Sequence, residues 1–193
     1  MTGAHGSCLR SSRLLPYRLA QGLDLVAGAD GDEHLAGLEA GVGGGVMVGA
    51  PSTAGAIPGL AGKADFLSVG TNDLMQYFFA ADRGNARVSE RYDVLAAPAL
   101  RFLHRIRQDA DAAGLPISIC GEAAGRPLEA MAFGGLGFRR RSMPASGVGP
   151  VKRLVRSLDA KALEAELSRR LSTHSASLRP ELTEFAQSMG FAL

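Results

Sequence analysis

The chain has 193 residues and a formal net charge of +2; 46% of its residues are hydrophobic and 6% aromatic, and it contains no Trp. This length is enough for one domain with a sizeable core. The small net charge argues against a nucleic-acid or membrane-surface partner, and no apolar run approaches membrane-spanning length. The two cysteines, Cys8 and Cys120, suggest no disulfide framework and are compatible with a reducing cytoplasm. The first residues lack a sustained apolar run, so we expect no secretory signal.

Residues 1–45 show no sustained periodicity, and we interpret them as loop, frayed helix or disorder. A short helix could form on five leucines, although Pro16 and Gly22 interrupt it; these are Leu14, Leu15, Leu19, Leu23 and Leu25. Residues 41–45 contain four glycines, which favour neither helix nor strand. A run at residues 30–32 begins like a calcium loop, but the remaining ligand spacing is absent. We therefore expect residues 1–45 to pack poorly compared with residues 65–158.

From residue 46 onward, short apolar runs alternate with stretches of helical periodicity. The runs predict four strands, at residues 46–51, 66–69, 117–120 and 138–143. Helices are predicted at residues 52–60, 73–81, 98–113, 127–133, 151–158, 160–171 and 180–189. This order indicates an α/β fold of parallel strands with right-handed crossovers. Four strands are half of the eight that close a β/α barrel, so we predict the carboxyl-terminal half of a TIM (β/α)8 barrel.

The stretch from Asp65 to Asn85 contains the candidate active-site residues of this fold. Polar residues follow the strand at 66–69 directly, and a helix with Leu74, Tyr77, Phe78 and Ala81 on one predicted apolar face comes next. An amide, a carboxylate and an arginine thus follow the carboxyl end of a strand, where α/β folds build their active sites; they are Asn72, Asp73 and Arg83. Taken singly, each has a simpler explanation, since Asn72 and Asp73 could cap the helix and Arg83 could be an ordinary loop residue.

Three motifs in order carry a family resemblance. They are Gly70-Thr71-Asn72-Asp73-Leu74 with Asp82-Arg83-Gly84-Asn85, then Ser118-Ile119-Cys120-Gly121-Glu122-Ala123-Ala124-Gly125, and finally Ser142-Met143-Pro144-Ala145-Ser146 with Gly149-Pro150-Val151-Lys152. Together they resemble the signatures of phosphoenolpyruvate–protein phosphotransferase, enzyme I of the bacterial phosphotransferase system, in its nitrogen-related form. The resemblance covers roughly residues 46–190, and three motifs in the same order make it specific.

The resemblance implies a set of roles at one site. Enzyme I moves the phosphoryl group of phosphoenolpyruvate (PEP) onto its own histidine, which later passes it to a carrier protein. By motif, Asp73 would bind Mg2+ and Asn72 would hydrogen-bond the phosphate or carboxylate. Arg83 would make a charge-assisted contact with the phosphate, and Cys120 would protonate the enolate. The alternative for Cys120 alone is an inert, small hydrophobic residue.

Two departures from the family pattern qualify these roles. The family's second metal-binding glutamate corresponds to Gly49, which has no side chain. One carboxylate alone supplies few of the oxygen ligands that magnesium prefers. The phosphohistidine domain, the carrier-binding domain and the first barrel strands have no counterpart in these 193 residues. A shortened or frameshifted reading frame would produce this pattern. We therefore divide the chain into a divergent segment, 1–45, and a partial PEP-utilising barrel domain, 46–193.

Three functions stay open at this point. The first is the PEP-binding fragment of a PEP–protein phosphotransferase in the cytoplasm, inactive on its own, with a phosphocarrier protein as the partner of the intact family. The second is a non-catalytic remnant that binds ligand or forms a homodimer, since family members dimerise through this domain. The third is a pyruvate-handling lyase on a related barrel, and Gly49 counts against it equally. Labelled PEP separates the first two, and aldol cleavage tests the third.

Overall fold

A computed structural model describes residues 18–19, 23–25, 43–82, 84–85, 87–88, 92–173 and 176–191. The strands are β1 (Arg18–Leu19), β2 (Leu23–Leu25), β3 (Gly45–Val48), β4 (Phe66–Gly70), β5 (Ile117–Cys120) and β6 (Arg140–Ser142). The helices are α1 (Pro51–Ala56), α2 (Thr71–Phe79), α3 (Ala97–Ala112), α4 (Pro127–Gly135), α5 (Ala145–Ser157), α6 (Ala160–Thr173) and α7 (Arg179–Ser188). Two 3-10 turns, Ile57–Leu60 and Glu122–Gly125, complete the connections.

The strands form one sheet in the order β1-β2-β3-β4-β5-β6. Strands β3 to β6 are parallel to their neighbours, and Val48 pairs with Val69 while Gly70 pairs with Cys120. Each parallel step is crossed by helical segments, as parallel strands require. The predicted α/β class with four parallel strands is confirmed. In the described part of the chain the sheet is open, and these strands do not close into a barrel.

The two faces of the parallel sheet differ in burial. Alternate side chains of β3, β4 and β5 point into the main core and are at most 7% exposed: Val46, Val48, Leu67, Val69, Ile117 and Ile119. On the opposite face, Ser68, Ser118 and Cys120 are half-buried, and Phe66 is 40% exposed. We call this second face the open sheet face. Because side chains alternate along a strand, the register places Cys120 on the open sheet face and not in the core.

The hairpin of β1 and β2 was not predicted. Leu19, Leu23 and Leu25 lie in antiparallel strands, so the short helix suggested for them is wrong at these positions. Strand β2 pairs with β3 and provides hydrogen-bond partners for the backbone N–H and C=O groups on the β3 edge of the parallel sheet. This pairing explains why residues 23–25 are extended. The expectation of poor packing over residues 1–45 otherwise lies outside the described residues.

Helix α2 begins at Thr71, two residues before the predicted start. Thr71, Leu74 and Met75 are fully buried, which fits the i, i+3, i+4 spacing of one helix face. Tyr77 lies outside this face and is 67% exposed, so its predicted place on the apolar face is wrong.

The C-cap of α2 is a non-glycine residue in the left-handed region, Ala80, with φ 48° and ψ 41°. Its N–H donates to the carbonyls of Gln76 and Tyr77. Since a Cβ is unfavourable at this conformation, Ala80→Gly should raise the free energy of unfolding by about 1 kcal/mol, measured by urea denaturation. The matched control is Ala113→Gly at the C-cap of α3, where φ is −82° and glycine gives no relief. Equal effects of the two substitutions would contradict the prediction.

Candidate functional site

The residues that follow β4 and β5 meet at one edge of the sheet. Gly70, the last residue of β4, pairs with Cys120, the last residue of β5. Asn72 and Asp73 lie in the first turn of α2, directly after Gly70. The structure therefore places Asn72, Asp73 and Cys120 at the carboxyl ends of adjacent parallel strands, as the sequence predicted.

A buried hydroxyl joins the two strand ends. The Thr71 side chain donates a hydrogen bond of 2.7 Å to the carbonyl oxygen of Cys120. Gly121 follows with φ 112°, and a Cβ there would lie 2.2 Å from Thr71 Oγ1 and 3.0 Å from Asn72 Oδ1. Glycine thus allows the end of β5 to approach the start of α2. The N-cap residue of α2 is Gly70, which has no side chain to cap the helix, and Asp73 lies in the first turn, where a carboxylate is favourable to the helix dipole.

The thiol of Cys120 is half-buried on the open sheet face and forms no disulfide. The hydroxyl of Ser68, on the neighbouring strand, donates to Sγ at 3.6 Å. Cys120 therefore lies beside a polar neighbour on the half-buried face of the sheet and not in the core.

The residues present do not complete a magnesium site. The side chain of Asp73 is exposed, and within the described ranges no group of three or more His, Cys, Asp or Glu side chains could hold a metal ion. At Gly49, one residue after β3, a Cβ would meet only Cγ of Met47, at 3.9 Å. The end of β3 therefore has space for a side chain. Magnesium prefers several oxygen ligands in octahedral geometry, which Asp73 alone does not supply.

A cavity of about 430 Å3 opens beside the start of α2. It is lined by Asn72, Gly84, Tyr92, Asp93, Val94, Glu122, Ala123, Arg126 and Arg179. Asp73 and Cys120 are not part of this lining, so the structure brings Asn72, and not the complete predicted set, into the cavity. Arg83 lies outside the described residues, although its neighbour Gly84 lines the cavity.

A charge network forms one wall of this cavity. Glu129 of α4 is only 2% exposed, and its Oε1 accepts a hydrogen bond of 3.0 Å from Arg179. Arg179 also donates to Asp93 at 2.9 Å, and Arg126 lies 3.7 Å from Glu129. Because both carboxylates share Arg179, substitution of this arginine would leave a buried charge without its hydrogen-bond partner.

The charges of the network shift two pKa values. Burial raises the pKa of Asp93, but hydrogen bonds from Ser177, the N–H of Leu95 and Arg179 outweigh it, and the net pKa lies below its ordinary value. Burial lowers the pKa of Arg179, but Asp93 and Glu129 more than compensate and raise it. The ionised forms of both groups are therefore favoured. Sequence reasoning missed this network, although a glutamate in the otherwise apolar sequence of α4 was a signal.

Comparison with known proteins adds to this geometry. The family described as "PEP-utilising enzyme, PEP-binding domain" matches residues 28–160. The chain belongs to this family. The resemblance found from the motifs is thereby confirmed, and the match to the PEP-binding domain begins at residue 28, ahead of residue 46 where the motif resemblance was placed. The PEP-binding domain of this family is a TIM-barrel-type fold, and the four parallel strands of this chain agree with that class, although the described strands form an open sheet.

Several curated proteins are similar to this PEP-binding domain. A Salmonella typhimurium protein named "Phosphoenolpyruvate-dependent phosphotransferase system" is 40% identical over 147 residues, which cover 76% of this chain and 20% of the relative. A phosphoenolpyruvate-protein phosphotransferase of Borreliella burgdorferi is 37% identical over 131 residues, or 68% of this chain and 23% of the relative. The chain thus spans about a fifth of the length of these relatives. Among the helices of the described residues, none is long and apolar enough to cross a membrane.

Proposed function

We propose that this chain is a PEP-binding part of a phosphoenolpyruvate–protein phosphotransferase, which transfers a phosphoryl group from PEP to a protein histidine. The family match over residues 28–160 is the observation that carries the proposal. The arrangement of Asn72 and Cys120 at adjacent strand ends supports it, because a PEP molecule at this edge of the sheet could reach both. A phosphocarrier partner and a cytoplasmic location belong to the same proposal.

In this proposal each residue has one task. The Asn72 amide hydrogen-bonds the phosphate or the carboxylate of PEP, and Arg83 pairs with the phosphate. The bond between the phosphorus and the enol oxygen breaks as the phosphoryl group passes to a histidine supplied by another domain, which leaves the enolate of pyruvate. Cys120 then gives its proton to the terminal enolate carbon, and the thiolate is reprotonated from water. The Ser68 hydroxyl contacts Sγ at 3.6 Å and would orient the thiol for this step.

The described residues hold only part of a magnesium site. The enzymes of the family generally depend on Mg2+, which would supply charge neutralisation at the phosphate. The described residues fit such an ion poorly, because Asp73 is exposed and Gly49 offers no ligand. We propose Asp73 as one ligand of such an ion. The consequence is that the chain alone should be catalytically inactive.

The purified chain, incubated with Mg2+ and PEP, should form no pyruvate above background. Three deficits lead to this expectation: the incomplete metal ligands among the described residues, the lack of a histidine in a phosphohistidine context in the sequence, and the lack of a counterpart, in these 193 residues, of the family's first barrel strands with their phosphate-binding arginines. Pyruvate is measured by a coupled assay, with and without a separately supplied phosphohistidine domain, carrier protein and amino-terminal half-barrel. Pyruvate from the chain alone that disappears with Cys120→Ala would contradict the prediction.

Gly49→Glu is the companion variant for this experiment. The structure shows space for a side chain at Gly49, so the substitution should be tolerated and add a carboxylate at the end of β3. We expect the chain to form pyruvate with the supplied domains only when it carries Gly49→Glu. The control Gly49→Gln adds about the same side-chain volume without a charge, and it should not support pyruvate formation. Activity of the unsubstituted chain with the same domains would show that Asp73 suffices as the metal carboxylate.

A second candidate function is a non-catalytic remnant that binds ligand or forms a dimer. The incomplete set of metal ligands favours it. Titration of PEP into the labelled chain, followed by NMR, separates the candidates: saturable shifts at Asn72 without pyruvate formation indicate binding alone. Light scattering over a concentration series measures the dimer.

A further inference from the structure

Tyr92 connects the loop after α2 to the start of that helix. Its hydroxyl oxygen lies 3.2 Å from the carbonyl oxygen of Thr71 and 3.3 Å from that of Asn72. One O–H donor is thus shared between two consecutive carbonyls of the first turn of α2. The ring packs against Phe79, with centroids 6.0 Å apart, so the hydroxyl is aimed at this turn by a contact at the other end of the same helix.

The loop that carries Tyr92 is held by a segment far along the chain. The next residue, Asp93, accepts hydrogen bonds from the side chains of Ser177 and Arg179. Backbone bonds reinforce the contact, because Leu178 N–H donates to Leu95 and Ala97 N–H donates to Ala176, both at 2.9 Å. We call the pairing of residues 92–97 with residues 176–179 the clasp.

Half of the clasp lies beyond the family domain. The family match ends at residue 160, whereas Ser177 and Arg179 follow α6. Arg179 also donates to the buried Glu129 of α4, so the clasp joins the Tyr92 loop to this helix as well. Asn72, Tyr92, Asp93 and Arg179 line that same cavity.

We propose that Tyr92 is a positioning residue for Asn72, held in place by the clasp with the carboxyl-terminal segment 176–179. On the loop side, the Tyr92 hydroxyl hydrogen-bonds the carbonyls of Thr71 and Asn72. On the sheet side, the Thr71 hydroxyl donates a hydrogen bond to the carbonyl of Cys120. The first turn of α2 is therefore held from two sides, and the direction of the Asn72 amide depends on both. The consequence for PEP rests on the proposed function, whereas the effect on Asn72 itself does not.

The chain offers a matched pair of variants for the test. Tyr92→Phe removes the hydroxyl that contacts the helix turn, and Tyr77→Phe makes the same chemical change on an exposed side chain of α2. In the 15N-labelled full chain without ligand, we expect the side-chain amide resonances of Asn72 to shift in Tyr92→Phe and to stay in place in Tyr77→Phe. Spectra are recorded at a temperature where circular dichroism shows every variant folded.

Titration with PEP provides the second measurement. We expect Tyr92→Phe to weaken PEP binding about tenfold, the size of one hydrogen-bond contribution, and Tyr77→Phe to leave it unchanged. Asp93→Ala, which opens the clasp, should reproduce both effects of Tyr92→Phe. Its control is Asp159→Ala, which also removes a carboxylate that accepts backbone N–H groups, those of Lys161 and Ala162, but does not line the cavity.

The two measurements keep the two hypotheses separate. If the Asn72 resonances of Tyr92→Phe match those of Tyr77→Phe, the positioning role is overturned whatever PEP does. If they shift but PEP perturbs no resonance of the unsubstituted chain, the proposed function fails while the positioning of Asn72 stands. If Asp159→Ala shifts Asn72 as much as Asp93→Ala does, the clasp has no specific role and that part of the inference is wrong.

Discussion

Gly121→Ala is expected to lower the free energy of unfolding by about 3 kcal/mol. The residue has φ 112° and ψ 173°, a conformation that side chains rarely adopt, and strain of this kind costs about 1–3 kcal/mol. The new Cβ would also fall 2.2 Å from the hydroxyl oxygen of Thr71, and overpacking of a buried site costs about 1–3 kcal/mol more. Urea denaturation measures the sum. The hydrogen bond from Thr71 to Cys120 should be lost, and the resonances of Asn72 should move.

Two other glycines provide the controls for this substitution. Gly62→Ala places a Cβ at φ 72° in open space, so it should show the conformational strain without the clash. Gly49→Ala has space and no positive φ, so it should be close to neutral. If Gly121→Ala costs no more than Gly62→Ala, the contact between the end of β5 and the start of α2 is looser than the structure indicates.

Arg179→Met is expected to lower the free energy of unfolding by about 2–3 kcal/mol. The substitution leaves the carboxylate of Glu129, which is 2% exposed, without its 3.0 Å hydrogen bond, and removal of one partner from a buried pair is strongly destabilising. Arg126, at 3.7 Å from Glu129, offers only partial compensation. The free energy of unfolding is again measured in urea at neutral pH.

The double variant Arg179→Met, Glu129→Met isolates the cause. It removes the unpaired charge together with its partner, and apolar replacement of a buried ion pair is often neutral or stabilising. We expect it to recover at least half of the loss caused by Arg179→Met. A double variant as unstable as the sum of the two single ones would show that Arg179 stabilises mainly through Asp93 and the clasp.

The elements of the sequence that have strong local signals were predicted well. Apolar runs ending in glycine or cysteine located β4 and β5 within a residue, and Pro127 and Gly114 marked helix ends where the structure has them. The hairpin β1–β2 was missed because its stability depends on pairing with β3, which is not visible in the local pattern. Tyr77 was placed on the wrong face because Leu74 and Met75, not Tyr77, face the core.

The candidate site was predictable only in part. Position at a strand end follows from local sequence, so Asn72, Asp73 and Cys120 could be placed at one edge of the sheet. The charge network in the cavity wall could not be predicted in this way, because Arg179 lies 86 residues from Asp93 and 50 residues from Glu129 along the chain. Such long-range pairs leave no periodic or motif signal. The roles assigned to the four predicted site residues remain predictions.

Strand β6 is the last strand of the described sheet. It contains Arg140 and Arg141 and directly follows Arg139, so three consecutive arginines lie at this edge. Edge strands of open sheets are templates for aggregation, and short length and charge are the usual protection. Two copies of the chain that paired along β6 would bring these cations together, so we expect repulsion to oppose such pairing in dilute salt. Screening shortens the range of this repulsion from about 10 Å at 0.1 M salt to about 3 Å at 1 M. The colloidal stability of the chain should therefore be set by ionic strength, independently of the packing that sets its folding stability.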